Sequence, residues 1–430
     1  MTYFAAAGAF DMRPTTAVAP LSGSEEKAVD YDLVIVGGGI AGLTLAAALK
    51  YSKLKVAIIE AQPHSEAVAK GQAYAIHQSS RRIWDSIGVW NTIEPQIQPF
   101  RRVCMSDADF SHIVRFSPSD LRTDALGYVA EHRVLLQALM AFVRNCANVE
   151  WHVPARVIAK RDYRAYVEVD IQSLESEAAP VHTLRTRLAV GADGAMSQMR
   201  QQSQIQTRGK AYWQSCIVAT VRPEKFHGYT AYERFWPSGP FAILPISDTL
   251  CRIVWTAPHA EAQALLALDD DAFVARLMER YGLQMGRLAL ASPRFAFPAR
   301  FMHACNYVRS RLALVGDAAH TCHPVGGQGL NLGIRDVGAL AHVLLAAQRK
   351  GEDIGSLKVL KRYERWRRWE NMLSLGFTDL LNRLFSNQFL PLVLFRRMGF
   401  IALSLIPPLK IAVLRFMAGL SGKMPLLREL

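Results

Sequence analysis

Short runs of apolar, β-branched residues recur along the sequence, and the clearest of them end in turns rich in glycine. Residues 31–36 (YDLVIV) have the composition of a parallel strand that is buried on both faces. Residues 43–50 are rich in alanine and leucine, which favours a helix, and residues 55–59 form a second apolar run. This order predicts a strand–helix–strand unit near the start of the chain.

The turn inside this unit has the glycine spacing of a dinucleotide-binding loop. Gly37 would permit the tight turn, Gly39 would let a pyrophosphate approach the backbone, and Gly42 would let the helix pack closely on the strand. Glu60 follows the second strand, where its carboxylate can bind a ribose diol. An ordinary strand–helix turn is the structural alternative, and this motif alone does not identify the dinucleotide.

Two later apolar runs also end in glycine and aspartate. Residues 188–194 (LAVGADG) and residues 311–317 (RLALVGD) each predict a buried strand that stops at a turn. Asp317 is placed to bind sugar-chain hydroxyl groups of a cofactor, although aspartate at such a turn is also a common helix cap. The candidate cofactor-binding residues at the two turns are Asp193, Gly194, Arg200, Gly316 and Asp317.

A proline–glycine loop at residues 323–329 leads from the last of these turns into a predicted helix. The free N–H groups and the positive end of that helix would stabilise the negative charge of a reduced flavin at its N1–C2=O edge. The backbone of the loop is therefore the predicted catalytic element, and no side chain is identified as a general base. The candidate residues are Pro324, Gly326 and Gly327 for catalysis and Gly329, Leu330 and Asn331 for cofactor binding.

Composition and charge narrow the class of protein. Half of the 430 residues are apolar, so the chain can bury a large core, and the six scattered cysteines predict neither disulfides nor a metal site. The net charge is +13, and residues 361–430 carry twelve Lys and Arg against four Asp and Glu, without a nucleic-acid-binding motif. Basic and apolar residues alternate near the C-terminus, which predicts association with a membrane surface, with packing on the protein core as the alternative.

The ordered motifs resemble those of the single-component FAD-dependent aromatic hydroxylases, and most closely those of the ubiquinone-biosynthesis hydroxylases of the UbiH/VisC type. The likeness extends from about residue 31 to residue 425 and includes residues 233–245 (ERFWPSGPFAILP) and residues 126–129 before Arg133. It implies that Arg133 contributes to the FAD site. The chain has Gln72 where relatives usually carry an arginine, so a cationic contact to the cofactor is not expected there.

This resemblance implies a reaction as well as a cofactor. NAD(P)H, bound transiently near Asp193 and Arg200, would reduce FAD; O2 would then form a flavin C4a-hydroperoxide that hydroxylates an electron-rich phenol. A lipophilic prenylated aromatic compound of quinone biosynthesis is the expected substrate, and a biosynthetic complex is a possible partner. The alternatives are an FAD-dependent reductase of isoprenoid double bonds and a non-catalytic flavoprotein scaffold.

The predicted fold class is α/β, with a Rossmann-like FAD-binding domain intertwined with an antiparallel-sheet substrate domain and a helical C-terminal segment. Residues 28–200 and 299–350 would form the FAD-binding domain, with residues 70–125 contributing partly to the substrate side. Residues 201–298 would form the substrate sheet and residues 351–430 the C-terminal segment. Residues 1–27 are predicted to be a disordered tail, and without a signal peptide the expected location is cytoplasmic, at the periphery of a membrane.

Overall fold

The computed structural model describes residues 28–425 and 427, except residues 69–70, 109 and 177. The predicted tail, residues 1–27, lies outside the described residues. The strands, in chain order, are β1 (Tyr31–Val36), β2 (Val56–Ile59), β3 (Ala73–His77), β4 (Gln98–Phe100), β5 (Arg102–Asp107), β6 (Ile113–Phe116), β7 (Gly127–Glu131), β8 (Val149–His152), β9 (Ala155–Asp162), β10 (Val167–Ser173), β11 (Val181–Gly191), β12 (Thr207–Pro223), β13 (Thr230–Trp236), β14 (Gly239–Ser247), β15 (Leu250–Pro258), β16 (Leu288–Leu290), β17 (Phe295–Ala304), β18 (Val308–Arg309), β19 (Leu312–Leu314) and β20 (His320–Thr321).

The α-helices are α1 (Ile40–Ala48), α2 (His64–Val68), α3 (Gln78–Ile87), α4 (Trp90–Ile93), α5 (His132–Arg144), α6 (Gln198–Gln202), α7 (His259–Ala267), α8 (Asp270–Tyr281), α9 (Gln328–Arg349), α10 (Leu357–Phe385), α11 (Leu390–Leu405) and α12 (Pro407–Met417). Short 3₁₀ turns occupy Glu94–Gln96, Pro118–Asp120, Gly316–Ala318 and Val325–Gly327.

The first domain is built on a parallel sheet whose strands lie in the order β19–β11–β1–β2–β8. These strands are apolar on both faces because helices α1, α5 and α9 pack with them into one hydrophobic core. An antiparallel meander of β9, β10 and β11 extends the same sheet. All three predicted glycine turns follow strands of this sheet, at the carboxyl ends of β1, β11 and β19. The predicted Rossmann-like architecture is therefore confirmed.

The second domain is a mostly antiparallel sheet in the order β20–β17–β12–β15–β14–β13–β5–β6, with β16 beside β12. Only the β13–β5 pair is parallel within this sheet of the described chain. Helices α7 and α8 cover one face with a separate apolar core, and the other face is turned toward the first domain. The cavity described below lies under that second face.

The two domains are intertwined in sequence, as predicted. Strands β5 and β6, within residues 70–125, join the substrate sheet, while β3, β7 and β4 form a small sheet between the domains. Strand β17 belongs to the substrate sheet and runs from Phe295 to Ala304, so the boundary expected at residue 299 falls inside a strand. The chain returns to the parallel sheet at β18 and β19 and then enters α9.

The C-terminal segment is helical, in agreement with the prediction. Helix α10 packs along α9, and α11 and α12 fold back over β6 and the substrate side of the protein. Within the described residues, the stretch Val325–Arg349 is long and apolar enough to cross a membrane, but 78% of its apolar window is buried inside the protein. Helices α10 and α11 pass the same test only as a pair bent by 119°.

Candidate cofactor and substrate cavity

One cavity of about 660 Å3 connects the two domains. At one end its wall consists of the three glycine turns, and at the other it is lined by apolar side chains of the substrate sheet and of α12. The two ends therefore form a continuous space in which a polar dinucleotide and an apolar molecule can meet. A cavity of this size and lining is typical of a small-molecule site.

The first glycine turn has the geometry that its sequence predicts. Gly37 has φ +112°, and a Cβ there would lie 2.3 Å from the carbonyl oxygen of Ala192. A Cβ on Gly42 would lie 1.9 Å from the Gly37 oxygen, so helix α1 can approach β1 only with glycine at this position. Gly39 is different, because a Cβ there would meet no atom within 4 Å and would point into open space beside the cavity.

Glu60 lies next to this turn, beyond the end of β2. Its carboxylate accepts hydrogen bonds from the backbone N–H of Gly38, at 2.6 Å, and of Gln62, at 2.7 Å. Each carboxylate oxygen keeps a further acceptor position. The carboxylate is thus held in a fixed position beside the phosphate-binding turn, and its contact to a ribose diol stays a prediction.

The second turn combines an open glycine with two residues that have structural partners. Gly194 has φ +79°, lines the cavity, and has no atom within 4 Å of its Cβ position. Asp193 caps the following turn by accepting a hydrogen bond from the N–H of Met199 at 3.0 Å. Arg200 is buried and donates to the carbonyl oxygens of Ala318 and Ala195, both at 2.8 Å. Arg200 therefore ties the second turn to the third, and a contact of Arg200 or Asp193 with the cofactor stays a prediction.

The third turn presents a carboxylate to the cavity. Gly316 has φ +59° and lies against Gly333 of α9, where an added Cβ would be 3.6 Å away. Asp317 lines the cavity and has no hydrogen-bond partner among the described residues. Desolvation raises the pKa of Asp317, while His320 acts in the opposite direction. An unpartnered carboxylate in this place fits the predicted binding of sugar hydroxyl groups.

The proline–glycine loop places the start of α9 at the wall of the cavity. Gly326 and Gly327 both have left-handed backbone angles, with φ +65° and +61°, and a Cβ on Gly327 would lie 2.9 Å from the Cβ of Ala75. Helix α9 begins at Gln328 without a side-chain cap. Its first N–H groups consequently remain available for a ligand. The cavity-lining residues here are Pro324, Gly326, Gly327, Gly329 and Leu330.

Asn331 holds the proline–glycine loop in place through its side-chain hydrogen bonds. Its side-chain amide donates to the carbonyl oxygens of Ala75 and Gly327, both at 2.7 Å, and its oxygen accepts from the N–H of His77 and the hydroxyl of Ser80. His77 adds a hydrogen bond from Nε2 to the carbonyl oxygen of Gly326, and burial lowers its pKa to about 4. Asn331 therefore acts here as an anchor of the loop.

Two positions named from the sequence lie at the edge of this arrangement. The Arg133 side chain is 60% exposed and pairs with Glu131 at 2.8 Å, and Arg133 does not line the cavity. Its predicted part in the FAD site is untested. Gln72 does line the cavity and accepts a hydrogen bond from the hydroxyl of Tyr74 at 2.7 Å.

A buried charge network that sequence reasoning did not identify holds the third turn in place. Asp336 of α9 is fully buried and accepts hydrogen bonds from His320, from Arg367 of α10 and from the backbone N–H of Gly316. Asn371 donates to the same carboxylate at 2.8 Å. His320 and Arg367 together hold the pKa of Asp336 well below its usual range. The partners lie 16 to 35 positions from Asp336, and no local motif signals them.

The substrate sheet contributes a largely apolar wall that carries one charged residue, to which the sequence analysis assigned no role. Ala231, Glu233 and Phe235 alternate along β13 and line the cavity, as their spacing of two requires. Glu233 is thus a carboxylate on a face that is otherwise apolar along this strand. A charged residue at an inward position of a strand is the signal that could have identified it.

The cofactor end of the cavity fits the adenine dinucleotide predicted from the sequence. Open space lies beside Gly39 and Gly194, where side chains would otherwise enter the cavity. The uncapped start of α9 supplies N–H donors, and Asp317 supplies a free acceptor. These groups would hold a pyrophosphate, a sugar chain and an electron-rich ring edge in one extended site.

Comparison with known proteins agrees with this geometry. A family model described as "FAD binding domain" matches residues 30–372. The chain is 48% identical to an uncharacterised protein of Synechocystis sp., over 92% of this chain and 94% of that protein. It is 38% identical to ubiquinone hydroxylase UbiL of Rhodospirillum rubrum, over 94% and 93%. It is also 35% identical to 3-demethoxyubiquinol 3-hydroxylase of Escherichia coli, over 90% and 98%.

The fold is shared with solved structures of more distant sequence. The crystal structure of p-nitrophenol 4-monooxygenase PnpA from Pseudomonas putida superposes with a TM-score of 0.76 at 20% identity. The match covers 91% of this chain and 98% of that one. It therefore includes the parallel sheet, the antiparallel sheet and helices that follow them.

Proposed function

This chain belongs to the family of FAD-dependent aromatic hydroxylases, and from that premise we propose that it hydroxylates the ring of a prenylated phenol in quinone biosynthesis. As an aromatic-ring monooxygenase it uses NAD(P)H and O2 with FAD. The hydroxylases that it resembles act, by their names, on ubiquinone or on 3-demethoxyubiquinol. The prenylated phenol is the part that we propose for this chain.

The observation that carries the proposal is the continuity of the cavity. The turns at Gly39, Gly194 and Asp317 border one end, and Phe235, Val254, Phe295 and Leu414 border the other. An apolar ring placed between these walls would lie directly against the loop at Pro324–Gly327. Such a wall has the lining that a molecule with a hydrocarbon tail requires.

Each part of the cavity has a distinct task in the proposed reaction. When bound, FAD supplies the chemistry: it takes electrons from NAD(P)H and activates O2 for transfer of one oxygen atom. The N–H groups at the start of α9 would stabilise negative charge that develops on the bound flavin. The apolar residues of the substrate sheet keep water away from the reacting atoms and orient the ring.

The purified holoenzyme tests this function directly. With a geranyl-substituted phenol, NADPH or NADH and ¹⁸O2, we expect a product that carries one ¹⁸O atom and one molecule of product for each nicotinamide oxidised. Without oxygen, no product should form, and nicotinamide oxidation should stop once the bound flavin is reduced. Substrate-dependent nicotinamide oxidation that continues anaerobically would indicate the double-bond reductase instead, and binding of FAD without any such oxidation would indicate the scaffold.

We further propose that the C-terminal helices dock on a membrane surface. Five residues of α11 with helical spacing form an exposed apolar stripe: Leu390, Leu394, Met398, Ile401 and Leu405. Their exposed fractions are 65%, 52%, 61%, 40% and 73%. Further exposed apolar side chains extend this surface at Phe389, Phe395, Ile406 and Leu409. An exposed apolar patch of this extent marks an interaction surface.

The basic residues near this stripe contribute less to the proposed membrane affinity than their positions in the sequence suggest. Arg396 is buried and pairs with Asp107 at 2.9 Å, and Arg397 reaches the same carboxylate at 3.5 Å. Lys410 pairs with Asp120 at 2.8 Å. Asp120 compensates the charge of Lys410, whereas the single carboxylate of Asp107 compensates only one of the two arginine charges. The proposed membrane affinity consequently rests on the apolar stripe, with exposed Arg415 as an additional basic group.

Changing the stripe should abolish membrane binding and leave folding intact. The triple variant Leu394→Glu, Met398→Glu, Leu405→Glu places three charges on exposed positions, and we expect at least a tenfold loss of co-flotation with vesicles of phosphatidylcholine and phosphatidylglycerol. The matched control is the double variant Phe226→Glu, Leu283→Glu. These two residues are 59% and 71% exposed on the second domain, away from α11, and the control protein should float like the wild type. Equal flotation of both variants would exclude the stripe as the membrane contact.

A further inference from the structure

Glu233 occupies an unusual place in the substrate wall. The register of the sheet puts it in one row with five apolar side chains from neighbouring strands: Met105, Ala242, Val254, Val218 and Phe295. All six residues line the cavity. Glu233 is therefore the single carboxyl group in a row of otherwise apolar side chains, with Met105 and Ala242 as its direct neighbours.

This carboxyl group has no partner in the protein. Among the described residues, neither oxygen of Glu233 forms a hydrogen bond or an ion pair, and desolvation alone raises its pKa to about 8. Glu233 is half-buried at the wall of an apolar cavity. A desolvated carboxyl without a partner costs stability, and such a group persists where a ligand or a reaction requires it. Its position facing the cavity leaves it free to contact a bound molecule.

We propose that Glu233 binds the ring hydroxyl of the phenolic substrate and accepts its proton during hydroxylation. This inference rests on the proposed function and assigns to Glu233 the catalytic side chain that sequence analysis did not identify. The hydrogen bond orients the ring within a wall that is otherwise apolar. The same contact selects phenols over their ethers, which have no hydroxyl proton to donate.

The proton transfer is balanced between two oxygen atoms. The O–H bond of the phenol breaks, its electron pair stays on the phenolate oxygen, and the proton forms a new O–H bond on the Glu233 carboxylate. The phenolate pushes electrons into the ring and makes it a better nucleophile toward the transferred oxygen atom. After the transfer, the carboxyl returns the proton to the product oxygen. A phenol has a pKa of about 10, so a base with a raised pKa is better matched to it than an ordinary carboxylate.

Other titratable groups near this wall have separate partners or lie across the cavity. Asp107, in the adjacent row, pairs with Arg396 at 2.9 Å. Arg252, in the row on the other side, is buried; desolvation lowers its pKa, and the charge that opposes this shift is that of Glu131, not of Glu233. Across the cavity lie Tyr74, His77, Asp317 and Cys322. None of these groups pairs with Glu233, so its titration can be followed separately by substitution.

Binding measurements test the recognition step without turnover. The oxidised holoenzyme is titrated with 2-geranylphenol and with its methyl ether, 2-geranylanisole, while the flavin absorbance is recorded. We expect wild-type protein to prefer the phenol by tenfold or more, Glu233→Gln to keep most of this preference, and Glu233→Leu to bind both compounds alike. The control Glu279→Gln removes an exposed carboxylate of α8 and should behave as the wild type.

A kinetic measurement tests the proton-accepting step. In wild-type protein, kcat for hydroxylation should rise with pH and level off above about pH 8, since the base must be ionised to act. Glu233→Gln should lose this rise and lower kcat by about 10²- to 10⁴-fold, with little change in KM. If Glu233 had only a structural role, the Glu233→Leu protein would unfold at a lower temperature than the wild type. We expect instead that the Glu233→Leu protein is at least as thermally stable as the wild type.

The outcomes separate this inference from the proposed function. Wild-type preference for the phenol that persists in Glu233→Leu, or an unchanged pH profile in Glu233→Gln, would overturn the role of Glu233 and leave the hydroxylase function standing. A Glu233→Leu protein that loses FAD and thermal stability would also overturn it. A wild-type enzyme that neither prefers nor hydroxylates prenylated phenols would refute both.

Discussion

Gly39→Val should yield a folded protein that is purified without its yellow cofactor. A Cβ at Gly39 meets no protein atom within 4 Å, so the branched side chain fits the polypeptide and enters the space beside the cavity. That space is where the backbone of the first turn must approach a pyrophosphate. We expect the flavin content to fall at least tenfold, as measured by absorbance at equal protein concentration, with an unchanged far-ultraviolet circular dichroism spectrum.

Two other glycines provide the controls for this result. Gly376 lies in the exposed part of α10 and also has no atom within 4 Å of its Cβ position, so Gly376→Val should retain FAD. Gly42→Ala places a methyl group 1.9 Å from the Gly37 oxygen and should impair folding itself. If Gly39→Val retained full flavin content, the first turn would not be the pyrophosphate site.

Asp336→Asn should lower the free energy of unfolding by about 3 to 5 kcal/mol, the usual cost of breaking a buried ion pair. The carboxylate accepts hydrogen bonds from His320, Arg367, Asn371 and Gly316. An amide in its place removes the negative charge and directs an NH2 group toward these donors. Urea denaturation of the wild type and of Asp336→Asn at pH 7 measures the difference in free energy of unfolding. If the third turn is loosened, the variant should also release FAD at a lower urea concentration than the wild type.

The stability difference should depend on pH in a defined direction. The pKa of Asp336 is lowered in the folded protein, so its contribution is fully present above the pKa of an unfolded aspartate, about 3.9, and is lost as the pH falls below that value. The gap between wild type and Asp336→Asn should thus be constant from pH 7 to about pH 5 and narrow at lower pH. Asp270→Asn is a control at an aspartate whose side chain is 72% exposed and pairs with Arg294, and it should cost at most about 1 kcal/mol. A gap independent of pH down to pH 3 would contradict the assignment.

The cofactor end of the site was accessible to sequence reasoning because its requirements are local. Gly37, Gly39 and Gly42 are constrained by backbone angles and by distances within one turn, and these constraints appear directly as glycines at fixed spacing. The same is true of Gly326 and Gly327, whose left-handed conformation few other residues adopt easily. Buried strands before each turn are equally visible, as continuous apolar runs.

The rest of the site depends on contacts between residues that are far apart in sequence. Arg200 looks like a cofactor ligand in its motif, but its guanidinium donates to the carbonyl oxygen of Ala318, which belongs to another turn. The partners of Asp336 come from two separate segments, the third turn and α10. Arg396 and Lys410 appear free in a basic segment, yet each meets a carboxylate from the region of β5 and β6. Only the tertiary structure establishes such pairs.

Glu233 is an intermediate case. It lies in the stretch quoted for the family resemblance, and alternation along Ala231, Glu233 and Phe235 would have placed the carboxyl group on the same side as two apolar residues. The side that faces the cavity, however, is set by the pairing of β13 with β5 and β14. A pattern within one strand shows that a charge interrupts an apolar face but does not show what that face encloses.

Helix α12 lines the cavity and also packs against helix α11. Leu414 and Met417 line the cavity, while the neighbouring helix α11 carries the exposed apolar stripe. Under the proposed function, the aromatic head of the substrate would be enclosed in the cavity, and its hydrocarbon chain would lie outside, among lipids. Under this arrangement the number of isoprene units would change how a molecule partitions into the bilayer and leave the enclosed head unaffected, so one enzyme could serve quinones of different chain length without altering its catalytic chamber.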